Sequence, residues 1–145
     1  MNSKLDKAFD HYHIAEHLFE TTLPITKEPK LLLGIIISIG NCLGYAISSI
    51  LAKEKISIPE GLLKKIDSLR PIAAKYNLSA DDLTFMVCIQ EIIHLHGKSP
   101  MEFKRGSSQV ICSEDYDLEV LSSEKVEKYL LHAKQIIYAL KTTFE

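Results

Sequence analysis

The feature that most constrains this chain is a run of 22 residues without a charged side chain, Leu31 to Ala52, bounded by Lys30 and Lys53. An apolar segment of this length is long enough to cross a bilayer as a helix. The same composition also suits the central helix of a soluble helical protein, which meets apolar neighbours on every side. The run therefore predicts either a single membrane span or a buried core helix.

Three observations favour the core helix. Four polar residues interrupt the run, and they would be costly against lipid: Ser38, Asn41, Ser48 and Ser49. The other predicted helices are amphipathic and need a shared core, and the sequence shows neither a second apolar span nor an aromatic belt. We therefore expect a buried helix and no membrane partner, with the Gly40-x-x-x-Gly44 spacing letting neighbouring helices approach closely.

The rest of the chain carries the three- and four-residue apolar spacing of amphipathic helices. A first helix is predicted over about residues 3–23, where Leu5, Ala8 and Tyr12 begin one apolar stripe. Pro24 and Pro29 follow, and they are expected to end this helix and to start the uncharged one. The pattern is typical of an all-α protein, an antiparallel bundle of four to five helices.

Residues that start, kink or stop helices mark the later boundaries. Pro71 is expected to kink or split a third helix. Ser79 is a predicted N-cap, with Asp82 in the capping-box position three residues later. Gly97 is expected to end this fourth helix, and a fifth begins near residue 122.

A segment of non-helical character, about residues 98–121, separates the fourth and fifth helices, which is long for a compact bundle. Within it, Glu102–Arg105 and Gln109–Cys112 flank the Gly106–Ser108 turn, and this pattern predicts a small β-hairpin. A length of 145 residues suits one domain. We therefore expect a single helical-bundle domain over 1–145, with a short β-hairpin-like insertion before the last helix.

Charge and cysteine content narrow the class of protein further. Seventeen Lys and Arg against 19 Asp and Glu give a formal net charge of −2, so no overall positive field attracts nucleic acid. Cys42, Cys88 and Cys112 are widely spaced and form no C-x-x-C pair, which indicates reduced thiols. The N-terminal residues show no apolar signal-peptide core, which predicts a cytoplasmic protein.

Five acidic and imidazole side chains of the first helix fall on one stripe: Asp6, Asp10, His13, His17 and Glu20. These are ligand types that divalent metals use. The stripe lies opposite the apolar face, whereas metal sites in helical bundles project into the core. A solvated face with pairs three or four residues apart is therefore the simpler interpretation.

Glu91 and His94 on the fourth helix show the Glu-x-x-His spacing of di-iron bundles. Such proteins need two of these motifs and two further inward glutamates, and the chain has no second copy. A mononuclear site joining Glu91 and His94 to His13 and His17 is the metal alternative. Apart from that alternative, we expect no cofactor.

Three cations, Lys98, Lys104 and Arg105, lie close to the Gly106–Ser108 turn. Backbone amides in such a turn, with cations beside them, can hold a phosphate. The residues that follow offset this charge: Glu114, Asp115, Asp117 and Glu119. The segment predicts a solvated loop with ion pairs or, as a functional alternative, a contact with phosphate or an RNA backbone.

The first two helices resemble the opening helical hairpin of HEPN-like proteins, through residues 8–19 (AFDHYHIAEHLF) and 29–37 (PKLLLGIII). The resemblance covers mainly residues 1–55 and the pattern of a short all-helical domain. HEPN-like proteins are dimerising helical bundles, many of which act as RNases or RNA-associated components of toxin–antitoxin and defence systems. The resemblance thus implies a dimer and an association with RNA.

Active HEPN-like enzymes carry an Arg, four to six further residues and then a His. The corresponding window after Arg70 is Lys75 to Asn77, and after Arg105 it is Val110 to Cys112. Neither window contains His. The resemblance therefore carries over no catalytic residue and implies a non-catalytic member.

The sequence thus predicts a non-catalytic, HEPN-like helical bundle that acts as a homodimeric interaction module, with a protein partner or RNA. The apolar excess of the second and fourth helices is the reason to expect a homodimer, and the three cations near the turn are the predicted RNA contacts. The alternative is a metal-dependent helical-bundle enzyme that uses the His and Glu residues of the first and fourth helices.

Overall fold

The computed structural model describes residues 3–144, which form five helical segments and a small antiparallel sheet. The helices are α1 (Ser3–His17), continued by a π-helical turn (Leu18–Thr22) and a short α-helical turn (Leu23–Thr26); α2 (Lys30–Lys53); α3 (Leu62–Leu69), continued by a 3-10 segment (Arg70–Tyr76); α4 (Ala80–Lys98); and α5 (Ser123–Phe144). The strands are β1 (Met101–Arg105), β2 (Ser108–Cys112) and β3 (Leu118–Leu121). The predicted helical content and the β insertion before the last helix are confirmed.

The uncharged run forms α2, which contacts α1, α3, α4 and α5. Sixteen of its 24 residues are buried. Two of its buried hydroxyl groups bond within the helix: Ser48 Oγ donates to the Gly44 carbonyl at 2.8 Å, and Ser49 Oγ donates to the Ala46 carbonyl at 2.6 Å. Within residues 3–144, α2 is the one helix with the length and composition of a membrane span, and 67% of its most apolar window is buried.

One hydrophobic cluster joins all five helices and reaches the sheet through Ile111 and Leu121. On α1 the cluster takes residues at three- and four-residue spacing, Leu5, Ala8, Tyr12 and Ala15, as the sequence predicts. The apolar stripe of α1 therefore faces α2, and the five residues of the predicted acidic and imidazole stripe, Asp6, Asp10, His13, His17 and Glu20, are exposed.

The predicted end of the first helix is wrong, because the chain stays helical past Pro24 to Thr26. A proline inside an α-helix clashes with the carbonyl four residues before it. Here the turn before the proline is π-helical, with the Leu23 N–H bonded to the Leu18 carbonyl, and this wider turn accommodates the ring. The segment ends at Lys27, whose φ is 54°.

The later boundaries follow the sequence with one exception. The α-helical part of α3 stops before Pro71. The predicted capping box at the start of α4 is present. The Asp82 N–H donates to Ser79 Oγ at 3.1 Å, and the Ser79 N–H donates to Asp82 Oδ2 at 2.9 Å. Gly97 does not end α4, which runs to Lys98. The helix ends at Lys98 because Ser99 precedes Pro100, and a residue before proline is pushed into extended backbone.

The predicted hairpin is formed by β1 and β2, which pair from Met101–Cys112 to Arg105–Ser108 around the two-residue turn Gly106-Ser107. Gly106 has a φ of 61°, a value typical of a hairpin turn that begins with glycine. The sheet also has a third strand that the sequence analysis does not predict, β3, which pairs antiparallel with β2. The strand order is β1-β2-β3.

Candidate functional site

A cleft of about 730 Å³ opens between α4, the first turn of α3 and the loop that joins β2 to β3. The α4 side is one stripe of residues at three- and four-residue spacing: Val87, Gln90, Glu91, His94, Leu95 and Lys98. Leu63 faces this stripe from α3, and Ser113, Glu114 and Asp115 face it from the loop. The volume falls within the range of small-molecule and peptide sites.

The cleft exists because α4 is covered on one side only. Its buried residues, Phe85, Met86, Ile89 and Ile92, are on the core side of the helix. The α-helical part of α3 is eight residues long, less than half the length of α4. Beyond the first turn of α3, the stripe of α4, about 16 Å long at 1.5 Å per residue, is therefore left without a helix across it.

The loop side of the cleft is held by its own hydrogen bonds. The Ser113 N–H donates to the Asp117 carbonyl at 2.8 Å, and the Asp117 N–H donates to Ser113 Oγ at 2.9 Å. The Tyr116 N–H donates back to the Ser113 carbonyl, and Tyr116 has a φ of 66°. This tight turn places the exposed carboxylates of Glu114 and Asp115 at the rim.

The end of α4 is joined to the sheet by side-chain contacts. His96 Nδ1 lies 2.5 Å from Glu102 Oε2 on β1. Ser99 Oγ lies 2.6 Å from the carbonyl oxygen of Cys112 on β2 and donates to it. These contacts fix the sheet, and with it the loop, relative to the helix that lines the cleft.

The electrostatics of the cleft are mainly acidic. Glu91 from α4 and Glu114 and Asp115 from the loop supply three carboxylates, against one ammonium group, Lys98. His94 lies between Glu91 and Lys98 on the same stripe of α4. A lining with this balance of charge favours a cationic ligand over an anionic one.

The residues of the metal alternative lie in two places. His13 and His17 line a shallow depression on α1 with Asp10, and His13 Nδ1 lies 3.7 Å from Glu16 Oε1. Glu91 and His94 line the cleft on α4. In the part of the chain from Ser3 to Phe144, no group of three or more His, Cys, Asp or Glu side chains is placed to hold a metal ion.

The three predicted RNA-contact cations are not on one surface. Lys98 lines the cleft. Lys104 and Arg105 are exposed neighbours on β1, so their side chains leave opposite faces of the sheet. The Arg105 guanidinium lies 6.0 Å from the centre of the Phe103 ring, which is on the same face of the sheet.

A row of polar contacts between α4 and α5 has no counterpart among the residues predicted from the sequence. His132 Nε2 lies 2.7 Å from Asp82 Oδ1, and its ring stacks on Phe85 with centroids 4.2 Å apart. Cys88 Sγ lies 3.5 Å from the Tyr129 hydroxyl oxygen, and burial together with this contact raises the pKa of Tyr129. The partners are 41 and 50 residues apart, so no local pattern connects them.

Comparisons with known proteins give no match to a family model, a curated protein or a solved structure. The HEPN-like relationship therefore stays a prediction from the residues of the first two helices.

Proposed function

We propose that the protein is a non-catalytic, HEPN-like interaction module, cytoplasmic and homodimeric, which binds a basic amphipathic segment of a protein partner in the cleft along α4. The observation that supports this proposal is the uncovered stripe of α4, which combines apolar and acidic positions. Helix-in-groove recognition uses such a surface, because the partner inserts its apolar residues and pairs its charges at the rim.

The apolar part of the surface comes from both walls. Val87 and Leu95 are half-buried on α4, and Leu63 on α3 is 48% exposed. An apolar side chain inserted between these walls removes area from water on both partners, which stabilises a complex by about 25 cal/mol per Å². The burial of apolar area gives affinity but no selectivity for the charge of the partner.

Selectivity comes from the three carboxylates. Glu91 lies on the helical wall, and Glu114 and Asp115 face it from the loop, so a segment in the cleft has acidic groups on both sides. Lys or Arg side chains fit this rim, whereas a phosphate backbone would meet like charge. The cleft therefore favours a protein partner over RNA.

The proposal includes an antiparallel bundle arrangement of the helices. Three residues, Lys27–Pro29, connect the helical segment that ends at Thr26 to α2, and such short connections are typical of antiparallel neighbours. The rings of Phe9 on α1 and Tyr138 on α5 are 5.1 Å apart, and this contact between the two helices supports the arrangement.

A labelled peptide of Leu and Lys in helical heptads is a suitable probe, with a Leu and Glu peptide of equal length for comparison. We expect the wild-type protein to bind the basic peptide and not the acidic one. Glu91→Lys and Asp115→Lys should each weaken binding at least tenfold, or about 1.4 kcal/mol. Glu127→Lys, an exposed charge reversal on α5 outside the cleft, is the matched control and should bind as the wild type does.

Equal binding of both peptides, or full binding by Glu91→Lys, would contradict the proposal. The same titration with a labelled single-stranded RNA tests the other class of partner. RNA binding that falls steeply with salt and is lost in Lys104→Ala/Arg105→Ala would replace the peptide proposal by RNA contact.

A further inference from the structure

The sheet ends in a strand with an unpaired edge. In the order β1-β2-β3, β1 pairs with β2 on one side, and no strand of the described chain pairs with its other side. The unpaired N–H and C=O groups of an edge strand are a template for another strand. Five residues of β1, Met101–Arg105, are available for this pairing.

The hairpin turn fixes which backbone groups face outward. Arg105 and Ser108 pair directly across the two-residue turn, and the pair that closes such a turn is hydrogen-bonded. Hydrogen bonding alternates along an antiparallel ladder, so Arg105 and Phe103 point their backbone groups at β2. The backbone groups of Glu102 and Lys104 therefore point away from the sheet.

We propose that the occupant of this edge is a second copy of the chain, whose β1 pairs antiparallel with β1 about a two-fold axis at Phe103. The inference rests on the homodimer of the proposed function and names its interface. In this register, Glu102 of each copy lies opposite Lys104 of the other, and both residues point their backbone groups across the new ladder. Two such pairs give four backbone hydrogen bonds and two opposite-charge side-chain pairs.

Charge selects this register over its neighbours. A two-fold axis at Glu102 would set Glu102 against its own copy, and an axis at Lys104 would set Lys104 against its own copy. Like charges directly opposite each other destabilise a sheet. A slip by one residue would instead turn the side chains of one strand to the wrong face.

The apolar face of the sheet supports the same arrangement. Residues opposite each other share a face, and the pairing of the three strands places six apolar residues together: Met101, Phe103, Val110, Cys112, Leu118 and Val120. Met101 is 52% and Leu118 48% exposed. At the axis, the two Phe103 side chains form a non-hydrogen-bonded pair, the kind in which side chains approach most closely, and the apolar face becomes continuous across both copies.

The interface is small, since one pair of five-residue strands buries less than the roughly 800 Å² per partner of a standard complex. We therefore expect a concentration-dependent dimer. Sedimentation equilibrium of the wild type, Glu102→Lys and Lys104→Glu tests it, because each variant alone sets like charges opposite each other. Both variants should be monomeric at concentrations where the wild type is dimeric.

An equimolar mixture of the two variants gives the sharpest test. In the mixed pair, Lys at position 102 of one copy faces Glu at position 104 of the other, and native Lys104 faces native Glu102, so the dimer should return. This recovery shows that both variants are folded, which matters because Glu102 also contacts His96. Lys64→Glu, an exposed reversal on α3, is the control and should dimerise as the wild type does.

A dimeric Lys104→Glu, or a mixture that stays monomeric, would overturn the β1 interface. A wild type that is monomeric at its highest soluble concentration would overturn the homodimer as well. Peptide binding in the cleft is a separate readout, since Lys104 does not line the cleft. Failure of the β1 interface is thereby distinguishable from failure of the partner-binding proposal.

Discussion

His132 on α5 and Asp82 in the first turn of α4 are in direct contact, with Nε2 2.7 Å from Oδ1. The second carboxylate oxygen of Asp82 accepts the Ser79 N–H at 2.9 Å. The same side chain therefore completes the capping box of α4 and joins α4 to α5. A group with two such roles should contribute measurably to stability.

We expect Asp82→Ala to lower the free energy of unfolding at pH 7 by about 1–3 kcal/mol, because it removes the side-chain half of the capping box and the hydrogen-bonded partner of a part-buried imidazole. Urea unfolding followed by circular dichroism measures this. Asp81→Ala, which removes an exposed carboxylate from the same helical turn, is the matched control and should cost less. An equal loss in both variants would show that the contact with His132 contributes nothing.

The contribution of Asp82 should also depend on pH. Burial raises the pKa of Asp82, but the hydrogen bonds from His132 and Ser79 outweigh burial and hold this pKa below its usual value of 3.8. A depressed carboxyl pKa stabilises the fold above the unfolded pKa, and this stabilisation is lost as pH falls through the folded pKa. The difference between wild type and Asp82→Ala should therefore shrink below pH 3.8; a constant difference down to acid unfolding would contradict this.

The contact of Tyr76 with Glu54 should affect how stability changes at alkaline pH. Its hydroxyl donates to Glu54 Oε2 at 2.6 Å, and burial, followed by this hydrogen bond, raises the pKa of Tyr76 to about 12. A raised pKa gives stability that is complete below the unfolded pKa of 10.0 and is lost as pH rises through about 12. Tyr76→Phe should therefore lose less stability than the wild type over this interval, measured by thermal melting. Tyr116→Phe, 79% exposed in the wild type, should melt like the wild type; equal alkaline losses in all three would contradict the prediction.

Helix positions could be predicted from the sequence because they depend on local spacing. The apolar stripe of α1, the capping box at Ser79 and the turn at Gly106 each involve residues within a few positions of one another. The π-helical turn before Pro24 could not be predicted in this way, since the same proline also suits a helix end. β3 has only four residues, LEVL, too few for an alternating pattern to stand out.

The candidate site could be predicted in part. Glu91, His94 and Lys98 are candidate site residues by type and spacing, and all three line the cleft. Their relation to Glu114 and Asp115 depends on how the β2–β3 loop folds back towards α4, and the contact of Asp82 with His132 depends on how α5 packs. Both are long-range relationships that residue spacing does not encode.

Two glycines of α2 should respond to substitution in opposite directions. A Cβ added at Gly34 has no atom within 4 Å, so Gly34→Ala should stabilise by about 0.5–1 kcal/mol through helix propensity. A Cβ added at Gly40 would collide with Ile93 Cδ1 on α4, so any larger side chain must displace Ile93. Gly40→Leu should cost about 1–3 kcal/mol through overpacking. Thermal melting of the two variants measures the predicted gain and the predicted loss of stability. A stabilised Gly40→Leu would contradict the close approach of α4 to Gly40.

Divalent metal ions should leave the stability of the protein unchanged. His13 and His17 line one depression, and Glu91 and His94 line another, so four ligands do not meet around one ion. An ion at 100 times its dissociation constant would stabilise the fold by about 2.7 kcal/mol, which a thermal shift with Zn²⁺ or Ni²⁺ would detect. A shift that is lost in both His13→Ala and His94→Ala would establish the metal-dependent alternative instead.

The central place of α2 has a consequence during synthesis. The helix is complete at Lys53, but one of the elements that cover it, α5, begins 70 residues later at Ser123. At translation rates of roughly 5–20 residues per second, this leaves an apolar helix of membrane-span length incompletely sheltered for roughly 4–14 seconds. Over that interval α1, its earliest partner, shields one side of α2, while the side that α5 will cover is open to chaperones, to the insertion machinery or to another nascent chain.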